Sequence, residues 1–110
     1  MKVAVSTDCG NVATHFGRCP HYTIADIVDG HVTNQEVIPN PGHQPGFLPK
    51  YLAENGIECI IAGGMGPRAE GLFKERGILT ITGITGSVED TLAELAAGTL
   101  KSKDSLCEHE

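Results

Sequence analysis

The chain has 110 residues and a formal net charge of −6, which fits one domain because single domains commonly contain about 100–150 residues. Its eight lysines and arginines are scattered, so a basic face for nucleic acid is not expected. Residues 1–6 lack the apolar run of a signal peptide, and no apolar stretch is long enough to span a membrane. We therefore expect a cytoplasmic protein whose four cysteines remain reduced thiols.

The first part of the chain predicts three strands. Residues 2–6 form a β-branched run that stops at a polar loop, and residues 21–28 and 31–38 both have the pattern of extended chain. Asp29-Gly30 between the last two runs is a type I′ hairpin signal. The second and third strands should therefore be antiparallel.

The second part of the chain alternates helices with buried strands. Helices are predicted at about 47–55, at about 67–76, and from an N-cap at Ser87 to Ala97; the strands are predicted at 57–62 and 78–82. This order predicts a ribonuclease-H-like α/β fold of three layers, α/β/α, with a five-stranded mixed sheet in the order 3-2-1-4-5 and strand 2 antiparallel. Residues 1–100 would form one domain and residues 101–110 a flexible polar tail.

This topology predicts that four loops meet at one edge of the sheet, and three of them are rich in glycine, which lets the backbone approach a ligand closely. The loops are 7–19, 40–46, 63–67 and 83–86. The glycines at 64 and 66 nominally fit a dinucleotide fingerprint, but the acidic residue expected ~20 residues later is missing. A helix N-terminus in this position can still receive an anion. Met65 in this loop either packs against the core or covers the ligand.

The segment His15-Phe16-Gly17-Arg18-Cys19-Pro20-His21 concentrates the chemically active side chains. Thiolates and neutral imidazoles are common ligands for transition metals, and Arg18 would offset the negative charge of a thiolate-bound centre. A second interpretation is that Cys19 is simply a small buried side chain at the start of a strand. The residue pattern leaves both open.

Other histidines and cysteines are distributed along the chain. His43 lies in a Pro-Gly-rich loop, which favours a role as ligand or proton donor. Cys59 lies in a predicted buried strand and should be part of the core. Cys9 in the first loop, and Cys107 with His109 in the tail, are weaker candidates for metal ligands.

Enzymatic alternatives have less support in the sequence. Two-metal nucleases of this fold class need clustered carboxylates, but only Asp8 is near the end of the first strand. No Ser-His-Asp or Cys-His-Asn order is compelling. Cys19 with His15 or His21 could still form a nucleophile pair, so a small thiol-dependent hydrolase stays open, as does a regulatory or interaction domain whose loops bind a protein partner.

Four motifs carry a family resemblance: HFGRCP at 15–20, NPGHQPG at 40–46, AGGMGPRA at 62–69 and TGSVEDTLAELAAGTL at 85–100. Together they resemble the dinitrogenase iron-molybdenum cofactor biosynthesis family, with its NifB/NifX-type domain, from Met1 to about Leu100. The chain lacks the radical-SAM motif Cys-x3-Cys-x2-Cys. It therefore resembles the carrier module and not the enzyme that assembles the cofactor.

The resemblance implies a non-catalytic carrier that binds iron–sulfur or iron–molybdenum cluster precursors transiently and passes them between donor and acceptor proteins. It implies that Cys19 and His43, with His15, contact the metal and that Arg18 counters the cluster's charge. The turn formed by Gly63, Gly64, Met65 and Gly66 would be the wall that receives the anion. This combination suits an anionic cluster, which is stabilised by a thiolate, an imidazole, backbone N–H groups and a cation.

Overall fold

A mixed β-sheet of six strands organises the protein, whose computed structural model describes residues 1–42 and 47–100. The strands are β1 (Lys2–Asp8), β2 (Asn11–Val12), β3 (His21–Val28), β4 (His31–Pro39), β5 (Cys59–Ile61) and β6 (Leu79–Ile81); the helices are α1 (Phe47–Glu54), α2 (Pro67–Glu75) and α3 (Val88–Ala97). The order across the sheet is β4-β3-β1-β5-β6, and β2 pairs with β1 outside this row. β5 and β6 continue the sheet in parallel from β1, whereas β3 is antiparallel to both β1 and β4.

The strand count differs from the prediction of five. β2 is the additional strand: it folds back antiparallel on the end of β1, with Thr7 opposite Val12. Cys9 and Gly10 make this turn with φ of +51° and +83°. A strand of two residues is too short to show an alternating pattern, so these residues were predicted as loop. The five longer strands lie beside one another in the predicted neighbour order.

The hairpin between β3 and β4 has the predicted turn. Asp29 and Gly30 have φ of +51° and +78°, and positive φ at both central residues defines type I′. β4 then contains an irregularity in register opposite Ile24–Asp26. There Asn34 has φ of +52°, and its amide donates a hydrogen bond of 3.1 Å to the Asp26 carboxylate.

Helices cover both faces of the sheet and so produce three layers. α1 and α2 bury Leu48, Leu52 and Phe73 against one face. α3 buries Val88 and Leu92 against the other. Alternation along β1 supplies both cores, since Ala4 belongs to the first and Val3 and Val5 to the second.

Helix α3 has clear signals at both ends. The Ser87 hydroxyl accepts a hydrogen bond of 3.0 Å from the Asp90 N–H, as expected of an N-cap. Gly98 ends the helix in the left-handed conformation, with φ of +78°. Within the described ranges, no helix is long and apolar enough to cross a membrane.

Candidate functional site

Phe16 anchors the His15–His21 segment to the core. Its ring packs edge-on against Phe73, with centroids 5.2 Å apart, and lies 6.0 Å from the ring of Tyr22. Its backbone N–H donates a hydrogen bond of 2.8 Å to the carbonyl of Gly64. The segment is therefore held against the loop that follows β5.

Gly63 allows these two loops to approach closely. Its N–H donates a hydrogen bond of 2.9 Å to the carbonyl of Ala13. A Cβ atom at this position would lie 2.9 Å from the carbonyl oxygens of Ala13 and Thr14, which is too close for any side chain. Gly63 is thus required by packing, and its N–H is engaged within the fold.

Asn40 connects the loop after β4 to the same segment. Its side-chain amide donates to the carbonyls of Cys19 (2.8 Å) and Gly17 (3.2 Å), and its side-chain oxygen accepts from the Gly42 N–H (2.9 Å). Its own N–H donates to the Pro20 carbonyl at 3.0 Å. Sequence reasoning missed Asn40 as a site residue, because an Asn-Pro-Gly run was interpreted only as a turn.

Two crevices meet at Arg18. The first, of about 520 Å³, is lined by His15, Phe16, Arg18, Gly64, Met65 and Gly66. The second, of about 670 Å³, is lined by Gly17, Arg18, Cys19, Pro20, Asn40, Pro41 and Gly42. None of these lining residues is acidic, although the chain contains 14 aspartates and glutamates. The exposed guanidinium is therefore the charged group that the two crevices share, which favours an anionic ligand.

Helix α2 begins at the wall of the first crevice. Gly66 is its N-cap, Pro67 follows, and no side chain caps the helix. The first N–H groups of a helix carry partial positive charge. This end of α2 therefore places partial positive charge at the crevice, and Glu70 in the first turn of the helix offsets part of it.

Cys19 is buried and yet lines the second crevice. Only 4% of its surface is exposed, which agrees with the interpretation of Cys19 as a buried side chain. Its position in the wall of the crevice leaves the interpretation of Cys19 as a metal ligand open. Tyr22 is fully buried beside it. Burial, and in addition the neighbouring Cys19, raise the pKa of the Tyr22 phenol far above its usual value, so the phenol keeps its proton at neutral pH.

Other predicted residues lie elsewhere. Cys9 and His21 line a third crevice together with Glu89 of α3; it adjoins the crevice of Cys19 at Pro20, but Cys9 does not line the crevice of Cys19. Cys59 is fully buried in β5, as predicted. Burial raises its pKa to about 12.

The described residues bring His15 and Arg18 together with the turn Gly64–Gly66, whereas Cys19 lines the neighbouring crevice, which also contains Arg18. They contain no group of three or more His, Cys, Asp and Glu side chains that could hold a metal ion. The predicted ligands His43, Cys107 and His109 lie outside the described residues. The 83–86 loop lines neither crevice at Arg18. It contacts the loop after β5 instead, because the Gly83 N–H donates a hydrogen bond of 2.8 Å to the Gly63 carbonyl.

Comparison with known proteins identifies the family to which this chain belongs. Residues 1–98 match the family described as "Dinitrogenase iron-molybdenum cofactor". The chain therefore belongs to this family, which confirms the family resemblance of its motifs.

Relatives support the assignment over most of the chain. "Uncharacterized protein MJ0580" of Methanocaldococcus jannaschii is 32% identical over 106 residues, which cover 92% of this chain and 90% of the relative. The crystal structure of PH0822 superposes with a TM-score of 0.86 at 32% identity and covers 93% of this chain and 94% of the other. The apo orange protein of Desulfovibrio gigas has a TM-score of 0.77 at 21% identity, covering 92% and 91%, and so shows a likeness of fold alone.

Proposed function

We propose that this protein binds iron–sulfur or iron–molybdenum cluster precursors transiently and passes them on without catalysing a reaction on them. The observation that carries the proposal is the pair of acid-free crevices that meet at Arg18, one of which contains Cys19. The family assignment supports a role connected with the iron–molybdenum cofactor. The three-layer fold, for which we propose the ribonuclease-H-like class, serves as the scaffold.

Charge favours a cluster over a bare metal cation. An anionic cluster would be attracted by Arg18 and by the uncapped N-terminus of α2. None of the described residues that line the two crevices offers a carboxylate to a cation, although Glu70 lies in the first turn of α2. A thiolate at Cys19 is the soft ligand that iron–sulfur clusters require.

The small number of protein ligands suits transient binding. Cys19 and His15 are the ligands that the described crevices offer, and Gly42, which lines the second crevice, directly precedes His43 in the chain. A cluster brings its own sulfide ligands, so one to three protein ligands are enough to hold it. We propose that Cys19 and His43 ligate the cluster, with His15 as a further ligand.

The exposed position of the site suits delivery of a bound cluster to another protein. His15 and Arg18 are exposed, so an acceptor protein can approach the cluster while Cys19 still holds it. We propose a cluster donor and a cluster acceptor as the protein's partners. Ligand exchange between the two proteins would then transfer the cluster.

A thiol hydrolase is the less supported alternative. Such an enzyme needs a base within hydrogen-bond reach of the nucleophile. Cys19 and His15 line different crevices, and the hydrogen bonds found within residues 1–42 and 47–100 include none between Cys19 and a histidine. No observation favours this function.

Anaerobic loading tests the proposal. The protein is incubated with iron, sulfide and molybdate and desalted, and its metal and sulfide content and visible absorption are measured. We expect bound iron with a charge-transfer band that is lost in Cys19→Ser and retained in Cys9→Ser, since Cys9 lines neither of the two crevices at Arg18. A colourless, metal-free protein, or equal loading of Cys19→Ser, would contradict the proposal.

A further inference from the structure

The third crevice, of about 440 Å³, lies where the α3 side of the sheet is open. Val5, Thr23 and Val37 are neighbours across β1, β3 and β4, so their side chains share this face of the sheet. Val5 is fully buried, whereas 57% of the Val37 surface is exposed. The layer formed by α3 therefore leaves the face uncovered at Val37.

Apolar groups form most of the walls of this crevice. Val37 of β4, Val88 of α3 and Pro20 all line it. Walls of this kind suit the aliphatic part of a ligand. Pro20 also lines the crevice of Cys19, so the two crevices adjoin.

Two buried hydroxyl groups in the crevice have no proton left for a ligand. They belong to Thr7 and Thr23, which both line it. The Thr7 hydroxyl donates its one proton to the Val5 carbonyl at 2.8 Å. The Thr23 hydroxyl is therefore the donor in the 2.7 Å contact between the two threonines. The pair can only accept further hydrogen bonds.

The N-terminus of α3, which borders the crevice, is poorly suited to an anion. The first N–H groups of a helix commonly bind anions, but here the Val88 N–H donates to the Gly10 carbonyl and the Asp90 N–H to the Ser87 hydroxyl, each at 3.0 Å. Glu89 and Asp90 place two carboxylates in the same turn. These groups disfavour an anionic ligand.

Glu89 sets the charge of the crevice. With histidine counted as neutral, it is the charged side chain among the described residues that line this crevice. His21 and Gln35 also line it and can both donate and accept hydrogen bonds. Arg18 lines the neighbouring crevice and not this one. The third crevice therefore favours a cation, in contrast to the crevices at Arg18.

We propose that the third crevice receives an arginine or lysine side chain of a protein partner. Such a side chain combines an aliphatic stem with a cationic donor. The stem would lie against Val37, Val88 and Pro20, and the cationic end would donate to the Glu89 carboxylate.

The charge pattern of the surface favours a protein over a small cation. Glu89 in this crevice and Arg18 in the adjoining one provide charges of both signs on neighbouring parts of the surface. Complementary charges on a protein partner would fix its register on such a surface. The inference does not rest on cluster binding, although a partner anchored here would lie beside the crevice of Cys19.

A peptide titration tests the proposal. The peptide acetyl-Gly-Arg-Gly-amide is added to ¹⁵N-labelled protein at low salt and about pH 7.5, where an ordinary histidine is neutral, and amide NMR shifts are followed. The matched control contains citrulline, which keeps the shape of arginine without its charge. We expect saturable shifts at Cys9, Gly10, His21, Val37 and Glu89, and binding about threefold weaker with citrulline, as is typical for loss of an exposed ion pair. A lysine peptide should shift the same signals.

Glu89→Gln and Asp90→Asn form a matched pair of variants. Each removes one negative charge from the first turn of α3, but only Glu89 lines the crevice. Glu89→Gln should weaken binding of the arginine peptide about threefold and leave that of the citrulline peptide unchanged. Asp90→Asn should bind both peptides as the parent does.

Three results would overturn the proposal: equal binding of the arginine and citrulline peptides, equal effects of the two variants, or shifts centred on residues 15–18 and 64–66. n-Butylguanidinium, which represents the side chain alone, distinguishes a protein partner from a free small cation. If it binds more tightly than the arginine peptide, the assignment to a protein partner is wrong. Cluster loading of the parent and of Cys19→Ser is measured separately, so failure here leaves the proposed function standing.

Discussion

Asn40 sets the position of Cys19 through the backbone. Its amide bridges the carbonyls on either side of Arg18, those of Gly17 and Cys19, and its oxygen holds Gly42. One side chain thus joins the loop after β4 to the HFGRCP turn. The geometry of the second crevice depends on it.

Replacing Asn40 by alanine should destabilise the protein by about 1–3 kcal/mol, because two part-buried carbonyls lose their donor. Urea denaturation measures this change. Asn55→Ala is the matched control: its amide donates to the Tyr51 carbonyl at 2.7 Å on the exposed surface, and its loss should cost no more than ~0.5 kcal/mol. Equal effects of the two substitutions would show that Asn40 has no special role.

Gly63 offers a second test at this scale. Gly63→Ala should cost about 1–3 kcal/mol, because its Cβ would be forced against the Ala13 and Thr14 carbonyls. Gly71→Ala, in helix α2 and with open space around its Cβ, should instead stabilise the protein by roughly 0.5–1 kcal/mol. Denaturation curves that shift in the same direction for both variants would refute this packing argument.

Cys59 should make stability depend on pH. Its pKa is raised by burial from 9.0 to about 12, so above pH ~9 the unfolded chain releases a proton that the folded protein keeps. Stability is then lost as pH rises, by up to ~1.4 kcal/mol per unit for this group.

Cys59→Ala should remove that slope. The free energy of unfolding of parent and variant, measured between pH 8 and 10.5, should therefore converge as pH rises. A constant difference over the whole range would mean that the thiol does not titrate as burial requires.

Candidate residues for the site could be named from the sequence, but the contacts that hold them in place could not. His15, Arg18 and Cys19 stand out because few other side chains have their chemistry. Asn40 has an ordinary role in a turn until the fold places its amide against the Cys19 carbonyl. This contact joins two distant segments, so composition and spacing could not predict it.

At the scale of elements, helix α3 depends on its cap. Ser87→Ala should destabilise the protein by about 1 kcal/mol, since the Asp90 N–H loses its acceptor. Ser87→Gly should cost only a few tenths of a kcal/mol, because glycine is tolerated at an N-cap. Thermal unfolding of the two variants checks this ranking, and a larger loss with glycine than with alanine would contradict the capping role.

Element prediction succeeded where local signals were strong. The turn at Asp29-Gly30 and the ends of α3 at Ser87 and Gly98 have residue types that the backbone conformation demands. β2 was missed because its pairing with β1 comes from the tight turn at Cys9 and Gly10 rather than from a pattern of its own. A strand as short as β2, which is defined by its pairing with a neighbouring strand, can be identified only from the structure.

At the scale of the whole molecule, the sheet order brings distant segments to one edge. The turn after β5 and the first loop are joined by the bridge between His15 and Gly64, and the loop after β4 reaches the same place through Asn40. Although the net charge is −6, none of the described residues that line the two crevices at Arg18 is acidic. An acidic protein therefore presents one region suited to an anion.

The most direct measurement is the amide NMR spectrum of ¹⁵N-labelled protein before and after anaerobic loading with iron, sulfide and molybdate. We predict that signals broaden or shift for residues 15–19, Asn40, Gly42 and residues 64–66, which surround Arg18, and change less for Cys9 and Gly10, which line the third crevice. Changes centred on the Cys9 crevice, or no change around Arg18 while metal is bound, would contradict it.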